Sequence, residues 1–426
     1  MKLLTALSLS AALLAGAAAA QTPIAPRAKV EALAAAIDAQ FYDPARAGRI
    51  AAELRAEARK GTYDKLTDPR DFAAALTERL RPQDGHFAVN WTPPAAASTA
   101  GPARSGPPPF LSRRGGYGFV AVKVLPGNIG YIDMRGFADF APTGDQAARQ
   151  AADAALALVA GTDALIFDMR DNGGGSAVMV GYLVGHFVPD GAKIYNTFKT
   201  RGEPDSDEAP TVPITGRRLD VPLYVLTSGR TASAAESFAY TLQAAKRASV
   251  VGEASAGGAN PGGGAPLGDG LSVFISSGTP INPITGKNWE GTGVTPDVAV
   301  PAAQALDRAQ QLALTQLVAA PLEPAVLTEN RWVLEALSAP AQGPQDLARY
   351  EGGYGPYQAK VVDGRLQLTS GRRPPSVLTP LDDKGLFFVE GAPSRRVRFD
   401  AAALVFLSPD GSQTRQPRHG AATGAS

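Results

Sequence analysis

Apolar residues recur at helical spacing from about residue 24 to 92. Val30, Leu33, Ile37 and Phe41 share one face, and Asp43-Pro44 then offers an N-cap followed by a first-turn proline. A second helix runs to Lys60 and stops at Gly61. Asp68-Pro69 opens a third, with Phe72, Leu76 and Leu80 on one side, leading through the turn Arg81 to Phe87 into an expected strand, Phe87 to Trp91. Thr92 to Gly116 loses all periodicity and is rich in Pro, Ala, Ser and Gly, the composition of a linker. Beyond it the pattern predicts strands at Phe119 to Val124 and Ile129 to Met134, a helix over about 145–160 and an apolar strand, Ala164 to Met169. The turn Asp171-Asn-Gly-Gly-Gly-Ser176 and an apolar helix, Val178 to Phe187, follow. Strand, turn and helix recur over Val221 to Arg247, which predicts an α/β core with mostly parallel strands.

Gly257 to Gly270 reads as a glycine-rich loop, Leu271 to Ile284 as a pair of strands and Ala302 to Leu317 as a helix. From about 345 strict alternation takes over, with Val361-Val-Asp-Gly-Arg-Leu-Gln-Leu368 as a hairpin and further strands near 386–389, 396–399 and 404–407. The expected divisions are a signal peptide over 1–20, an N-terminal helical domain over 21–92, a linker over 93–116 and a core over 117–320. A connecting segment over 321–344, a small all-β domain over 345–411 and a disordered tail over 412–426 complete the chain.

Composition narrows the chemistry. A chain of 426 residues has ample material for a large core, and its net charge of +1 makes no electrostatic case for nucleic acid or an acidic membrane. With no cysteine there is no disulfide and no thiolate chemistry. Lys2, the apolar stretch Leu3 to Leu14 and Ala18-Ala-Ala20 predict a cleaved secretory signal with a mature start near Gln21. No lipoprotein cysteine follows, so the expectation is a soluble periplasmic or secreted protein with no membrane insertion after cleavage.

The stretch Val221-Pro-Leu-Tyr-Val-Leu-Thr-Ser-Gly-Arg-Thr-Ala-Ser-Ala-Ala-Glu-Ser237 places Ser233 where a strand turns into a helix. An exposed serine hydroxyl there could act as a nucleophile, with the free amides of the helix's first turn facing a developing oxyanion. Ser233-Ala-Ala-Glu236 equally fits a capping box with no chemical role. A serine nucleophile needs a base, and three histidines exist. His419 lies in the polar tail and His186 in an apolar helix, where a structural role is expected, whereas His86 sits in a Asp-Gly-His turn before a strand. Lys246 and Lys287 are the other conceivable bases. The glycine run 173–175 follows neither the phosphate-loop nor the dinucleotide pattern, and there is no HExxH motif, so neither a cofactor nor a metal is expected.

Asp84-Gly-His86, Gly130-Tyr-Ile-Asp-Met134, Asp168-Met-Arg-Asp-Asn-Gly-Gly-Gly175, Thr231-Ala-Ser-Ala-Ala-Glu236 and Glu290-Gly-Thr-Gly-Val-Thr-Pro-Asp297 together resemble the C-terminal processing (tail-specific) serine peptidases. The resemblance is closer to the tricorn core-like and interphotoreceptor retinoid-binding protein-like branch. It implies an α/β fold with a crotonase/ClpP-like core, Ser233 as nucleophile, His86 as general base and Glu290 as the acid that orients the histidine. It also implies an oxyanion hole from Ala234 N–H and either Gly174 or Gly175, with Glu236 a structural cap and Arg170 a strut for the glycine turn. Two departures stand out. The lysine that processing peptidases carry about 25 residues after the serine is replaced by Ala256-Gly-Gly-Ala259, and Gly85 stands where tricorn has a serine. The segment 92–116 has no room for a PDZ module. The expected activity is hydrolysis of peptides or unfolded proteins through an acyl-enzyme; a carrier of hydrophobic ligands or a serine esterase are the alternatives.

Overall fold

The computed structural model describes residues 24–93, 108–141, 143–339 and 346–419, so the expected signal peptide and most of the linker lie outside the described residues. The chain forms two compact units, the first holding the N-terminal residues together with Gly262–Ser277, the second the remainder.

In the first unit the helices Pro26–Gln40, Pro44–Arg59 and Pro69–Leu80 each carry proline in the first turn. Asp43 and Asp68 cap the second and third by accepting from Arg46 N at 3.0 Å and Arg70 N at 2.8 Å. The faces named by the sequence pattern are buried, and they pack on a three-stranded antiparallel sheet in the order Ala88–Trp91, Leu271–Ser276, Gly262–Gly268. The segment expected as a glycine-rich loop is therefore strand over half its length, and the hairpin belongs to this unit rather than to the core. Ala265, Leu267, Leu271, Val273 and Ile275 point inward and join Phe87 and Val89. The three glycines at 262–264 blur that alternation in the sequence.

The second unit is built on a six-stranded sheet in the order Val298–Ala299, Ser249–Gly252, Leu223–Thr227, Ala164–Asp168, Ile129–Met134, Phe119–Leu125. All neighbours are parallel except the last pair. Central strands are covered on both faces, which is why they read as unbroken apolar runs. Leu165, Phe167 and Val225 face the helices Ala147–Leu158, Ala177–Gly185 and Ala234–Ala244. Ile166, Tyr224 and Leu226 face the opposite layer, Ala305–Val318 and Pro324–Ser338. Much of the segment expected as a connector is thus a helix, anchored by buried Val333.

The C-terminal portion is an all-antiparallel sheet of eight sequential strands from Gly352–Tyr354 to Gln413–Pro417. A bridge between Tyr354 and Arg418 links the first strand to the end of the last, so the sheet nearly closes into a barrel. Tyr350, Tyr354, Phe387 and Phe399 fill its interior. Its final strand lies beyond the boundary at 411 and corrects the expected disordered tail. Gln413-Thr-Arg-Gln-Pro417 has no apolar alternation because it is almost wholly exposed, and it is held by pairing with Ala403–Leu407.

Candidate active site

The strands Ala164–Asp168 and Leu223–Thr227 are adjacent and parallel, so the turns that follow them emerge at the same sheet edge. The turns are stitched together. Thr231 Oγ1 donates to Met169 O at 2.7 Å, Ala232 N to Asn172 O at 3.0 Å, and Ser228 N to Thr231 Oγ1 at 3.0 Å. This brings the Ser233 turn against the glycine turn, as the sequence motifs require.

Ser233 is exposed at the start of the helix Ala234–Ala244, with φ +54° and ψ −121°. An ordinary N-cap has β-region dihedrals, so the serine occupies a strained, left-sided conformation instead. Such conformations cost about 1–3 kcal/mol and concentrate at functional turns. The two halves of the capping box are unequal. Glu236 Oε2 accepts from Ser233 N at 2.7 Å, whereas the Ser233 hydroxyl faces the N3 amide without completing a capping hydrogen bond. The serine stands at a sharp strand-to-helix turn without the flanking glycines of the Gly-x-Ser-x-Gly pattern, and the side chains at those two positions, Thr231 and Ala235, are buried.

Gly174, with φ +104°, supplies the missing space from across the gap. A Cβ on it would lie 2.7 Å from Ser233 Cβ, 2.9 Å from Ala232 O and 3.0 Å from Ala234 N. Ala234 N, at the first helical position, has no acceptor among the hydrogen bonds of the described residues. Gly174 N is committed to Asn172 Oδ1 at 2.9 Å. Of the two glycines favoured from sequence, Gly175 therefore retains the available amide, as does Gly173 beside it.

Glu236 is buried and does more than cap. Its carboxylate also accepts from Ser255 Oγ at 2.6 Å, Gly257 N at 2.7 Å and Gly258 N at 2.9 Å. Glu290, half-buried in the same unit, accepts from Ala259 N at 2.8 Å and Asn260 N at 3.0 Å through Oε2. Arg170 grips Asp168 and donates to Ala302 O at 2.7 Å, bracing the start of the glycine turn. Burial pushes the Asp168 carboxyl up, but hydrogen bonds from Arg170 and Tyr131 outweigh it and hold the group below the usual range. Behind Ser233, Ser237 on the same helix meets fully buried Glu208 at 2.6 Å, and Asn196 Nδ2 donates to it at 2.9 Å. Burial pushes the Glu208 carboxyl up to about 7, with those hydrogen bonds opposing.

His86 lies in the first unit, in the turn after the helix Pro69–Leu80. The turn is fixed by Phe87 N donating to Asp84 O at 3.1 Å and by the burial of Phe87. Asp84 Oδ1 accepts from His86 N at 2.8 Å and sits 3.2 Å from His86 Nδ1, and the ring packs beside Phe274. A carboxylate at Nδ1 favours the tautomer whose Nε2 carries the lone pair. Asp84 opens the Asp84-Gly-His86 motif, and its two-residue spacing from His86 is the sequence signal for this contact. Glu236's wider bonding had none, since its donors lie about 20 residues downstream. His186 is buried, and burial pushes its pKa down, in keeping with a structural role. Lys246 lies beyond the far end of the eleven-residue helix that Ser233 opens, and Lys287 is exposed.

Residues 128–300 match the sequence model of peptidase family S41. Over this segment the chain is similar to the S41 peptidases. The matched segment holds Ser233, Ala234, the glycine run and Glu290, while His86 lies before it. Solved structures similar to this chain include the following three. A lipoprotein from Streptococcus agalactiae is 16% identical with a TM-score of 0.46, over 69% of this chain and 98% of its own. A candidate peptidase from Parabacteroides merdae is 19% identical with a TM-score of 0.48, over 70% and 100%. The photosystem II D1 C-terminal processing protease is 19% identical with a TM-score of 0.40, over 66% and 94%. The match supports a serine peptidase, a hydrolase acting on a peptide or protein.

Proposed function

We propose that the chain is an exported serine endopeptidase that cleaves unfolded proteins or peptides through an acyl-enzyme, with Ser233 as nucleophile. The observation that carries the reading is the strained, exposed Ser233 at a strand-to-helix turn, packed on a glycine whose missing side chain leaves Ala234 N–H open. In this reading His86 takes the Ser233 proton as the hydroxyl oxygen bonds to the scissile carbonyl carbon. The carbonyl oxygen becomes an oxyanion held by Ala234 N–H and Gly175 N–H. His86 then returns the proton to the leaving amine, and water repeats the sequence to release the acyl group. Glu290 stabilises the imidazolium; Asp84, bonded at Nδ1, fixes the ring's tautomer.

Export is supported by the Lys2 start, the apolar stretch and Ala18-Ala-Ala20. Periplasmic or secreted material should begin near Gln21, and a cytoplasmic product retaining Met1 would remove that part of the reading. No helix among the described residues is long and apolar enough to cross a membrane. A fluorophosphonate, followed by intact mass and peptide mapping, tests the chemistry. One adduct on Ser233, absent in Ser233→Ala, is expected. A folded chain that takes up no label, while binding hydrophobic ligands, would make it a carrier instead. Labelling with turnover of small esters but no peptide would make it an esterase.

A further inference from the structure

We propose that Glu236 is a positioning residue for Glu290 as well as for Ser233, acting through the four consecutive amides of Gly257–Asn260. The proposal rests on the roles given above to Ser233 and Glu290. An N3 glutamate in a capping box needs only the N-cap amide. Glu236 accepts three further hydrogen bonds, from Ser255 Oγ, Gly257 N and Gly258 N. The next two amides, Ala259 N and Asn260 N, both donate to Glu290 Oε2. Four successive N–H groups are thus divided between two carboxylates, two to each. A second link closes the loop, as Gly291 N donates to Gly257 O at 2.9 Å.

Adjacent peptide planes share a Cα and keep a spacing of about 3.8 Å, so a displacement of amides 257–258 strains the hydrogen bonds that hold 259–260. Gly257 adopts φ +84°, which fixes the turn that lets the run face both acids. The segment stands where processing peptidases carry their lysine. Here it supplies neutral donors that hold acids in place, so it orients the site without providing a base. Glu236 grips Ser233 N with the same Oε2 that grips Gly258 N. A change in Glu236 therefore moves both the nucleophile turn and the seat of Glu290.

The test is a double-mutant cycle on the full-length mature chain, read as kcat, KM and the pH dependence of kcat/KM on a short peptide. Glu236→Gln keeps the size of the side chain but removes an acceptor oxygen. It and Glu290→Gln should each lower kcat by ~100-fold with KM within ~3-fold, and the double variant should lose little more than either single one. Both singles should move the acid limb of the pH profile in the same direction, with no further movement in the double. A ~10,000-fold product in the double variant, or an unmoved limb in Glu236→Gln, overturns the proposal. Should Glu236→Gln fail to fold, Ser255→Ala removes one of its donors; it should cost ~10-fold in kcat and move the limb the same way, and no effect overturns the proposal. Fluorophosphonate labelling of the unaltered chain separates the two levels. Additive variants with Ser233 labelled refute only the coupling, whereas an unlabelled Ser233 with turnover retained in Ser233→Ala removes the assignment of the nucleophile and the coupling with it.

Discussion

Glu208 gives the second unit a pH-dependent stability whose sign and size follow from its surroundings. It is fully buried, and its partners are neutral: Ser237 and Asn196. Burial raises its carboxyl from the ordinary 4.5 to about 7. Below pH 4.5 the group is protonated whether the chain is folded or not, and contributes no penalty. Between 4.5 and 7 the folded chain holds a proton that the unfolded chain has released, so stability falls as pH rises through that window. Above 7 the loss is complete, and the displacement of the pKa corresponds to about 3 kcal/mol. Glu208→Gln carries no charge at any pH and escapes the loss. Urea unfolding, followed by fluorescence of buried Trp289, should show the variant gaining about 3 kcal/mol on the natural chain between pH 5 and pH 8, or about 1 M in midpoint. Parallel pH profiles for the two proteins would refute the reasoning, because a carboxyl that ionises equally easily in both states adds no pH dependence.

Four further outcomes concern the chemistry. His86→Ala should lower kcat by at least ~1000-fold without loss of fold, Lys287→Ala much less, and near-normal turnover in folded His86→Ala would reassign the base. Since neutral imidazole is the competent form, kcat/KM of the natural chain should rise with pH through one ionisation. If selection rests on extended peptide pairing with an exposed strand, an unfolded protein should be cut far faster than its folded form in a gel time course, and equal rates would defeat that model. Gly174→Ala should abolish turnover, whereas Gly229→Ala in the neighbouring turn should not.

Helices and central strands were legible because burial imposes a period on the sequence. The alternation of Leu165 and Phe167 with Ile166 is unreadable in a strand covered on both faces, yet the continuous apolar run still marks it as a strand. Elements whose side chains stay in water left no such trace, and the strand Gln413–Pro417 is the clear case. The strands Gly262–Gly268 and Leu271–Ser276 cluster with the N-terminal unit, which the sequence does not show because short-range pattern carries no information about which distant surface a strand joins. At the site, Ser233, Ala234 and the glycine run were visible as motifs, since turn chemistry is local. The bonds that divide amides 257–260 between Glu236 and Glu290 were not, since backbone donors have no residue identity.

The Gly174→Ala outcome follows from the balance of strain and restraint at Ser233. Holding serine at φ +54° costs about 1–3 kcal/mol. The hydrogen bond from Ser233 N to the Glu236 carboxylate returns a comparable amount, about 1.5–3 kcal/mol. The turn is therefore held, with little to spare for further distortion. A methyl at 174 would meet Ser233 Cβ at 2.7 Å and Ala232 O at 2.9 Å, at a φ of +104° that alanine rarely adopts. Neither neighbour can yield easily, because Ala232 N is tied to Asn172 O and Ser233 N to Glu236. The same methyl stands 3.0 Å from Ala234 N, in the space an oxyanion would need. Loss of one oxyanion donor alone costs ~100–1000-fold in kcat. Gly229 has nothing within 4 Å of its own Cβ position and no positive φ, so Gly229→Ala controls for loss of turn flexibility in general. Turnover of folded Gly174→Ala within ~3-fold of the natural chain would mean that the space between residue 174 and Ala234 N is not where the carbonyl oxygen binds.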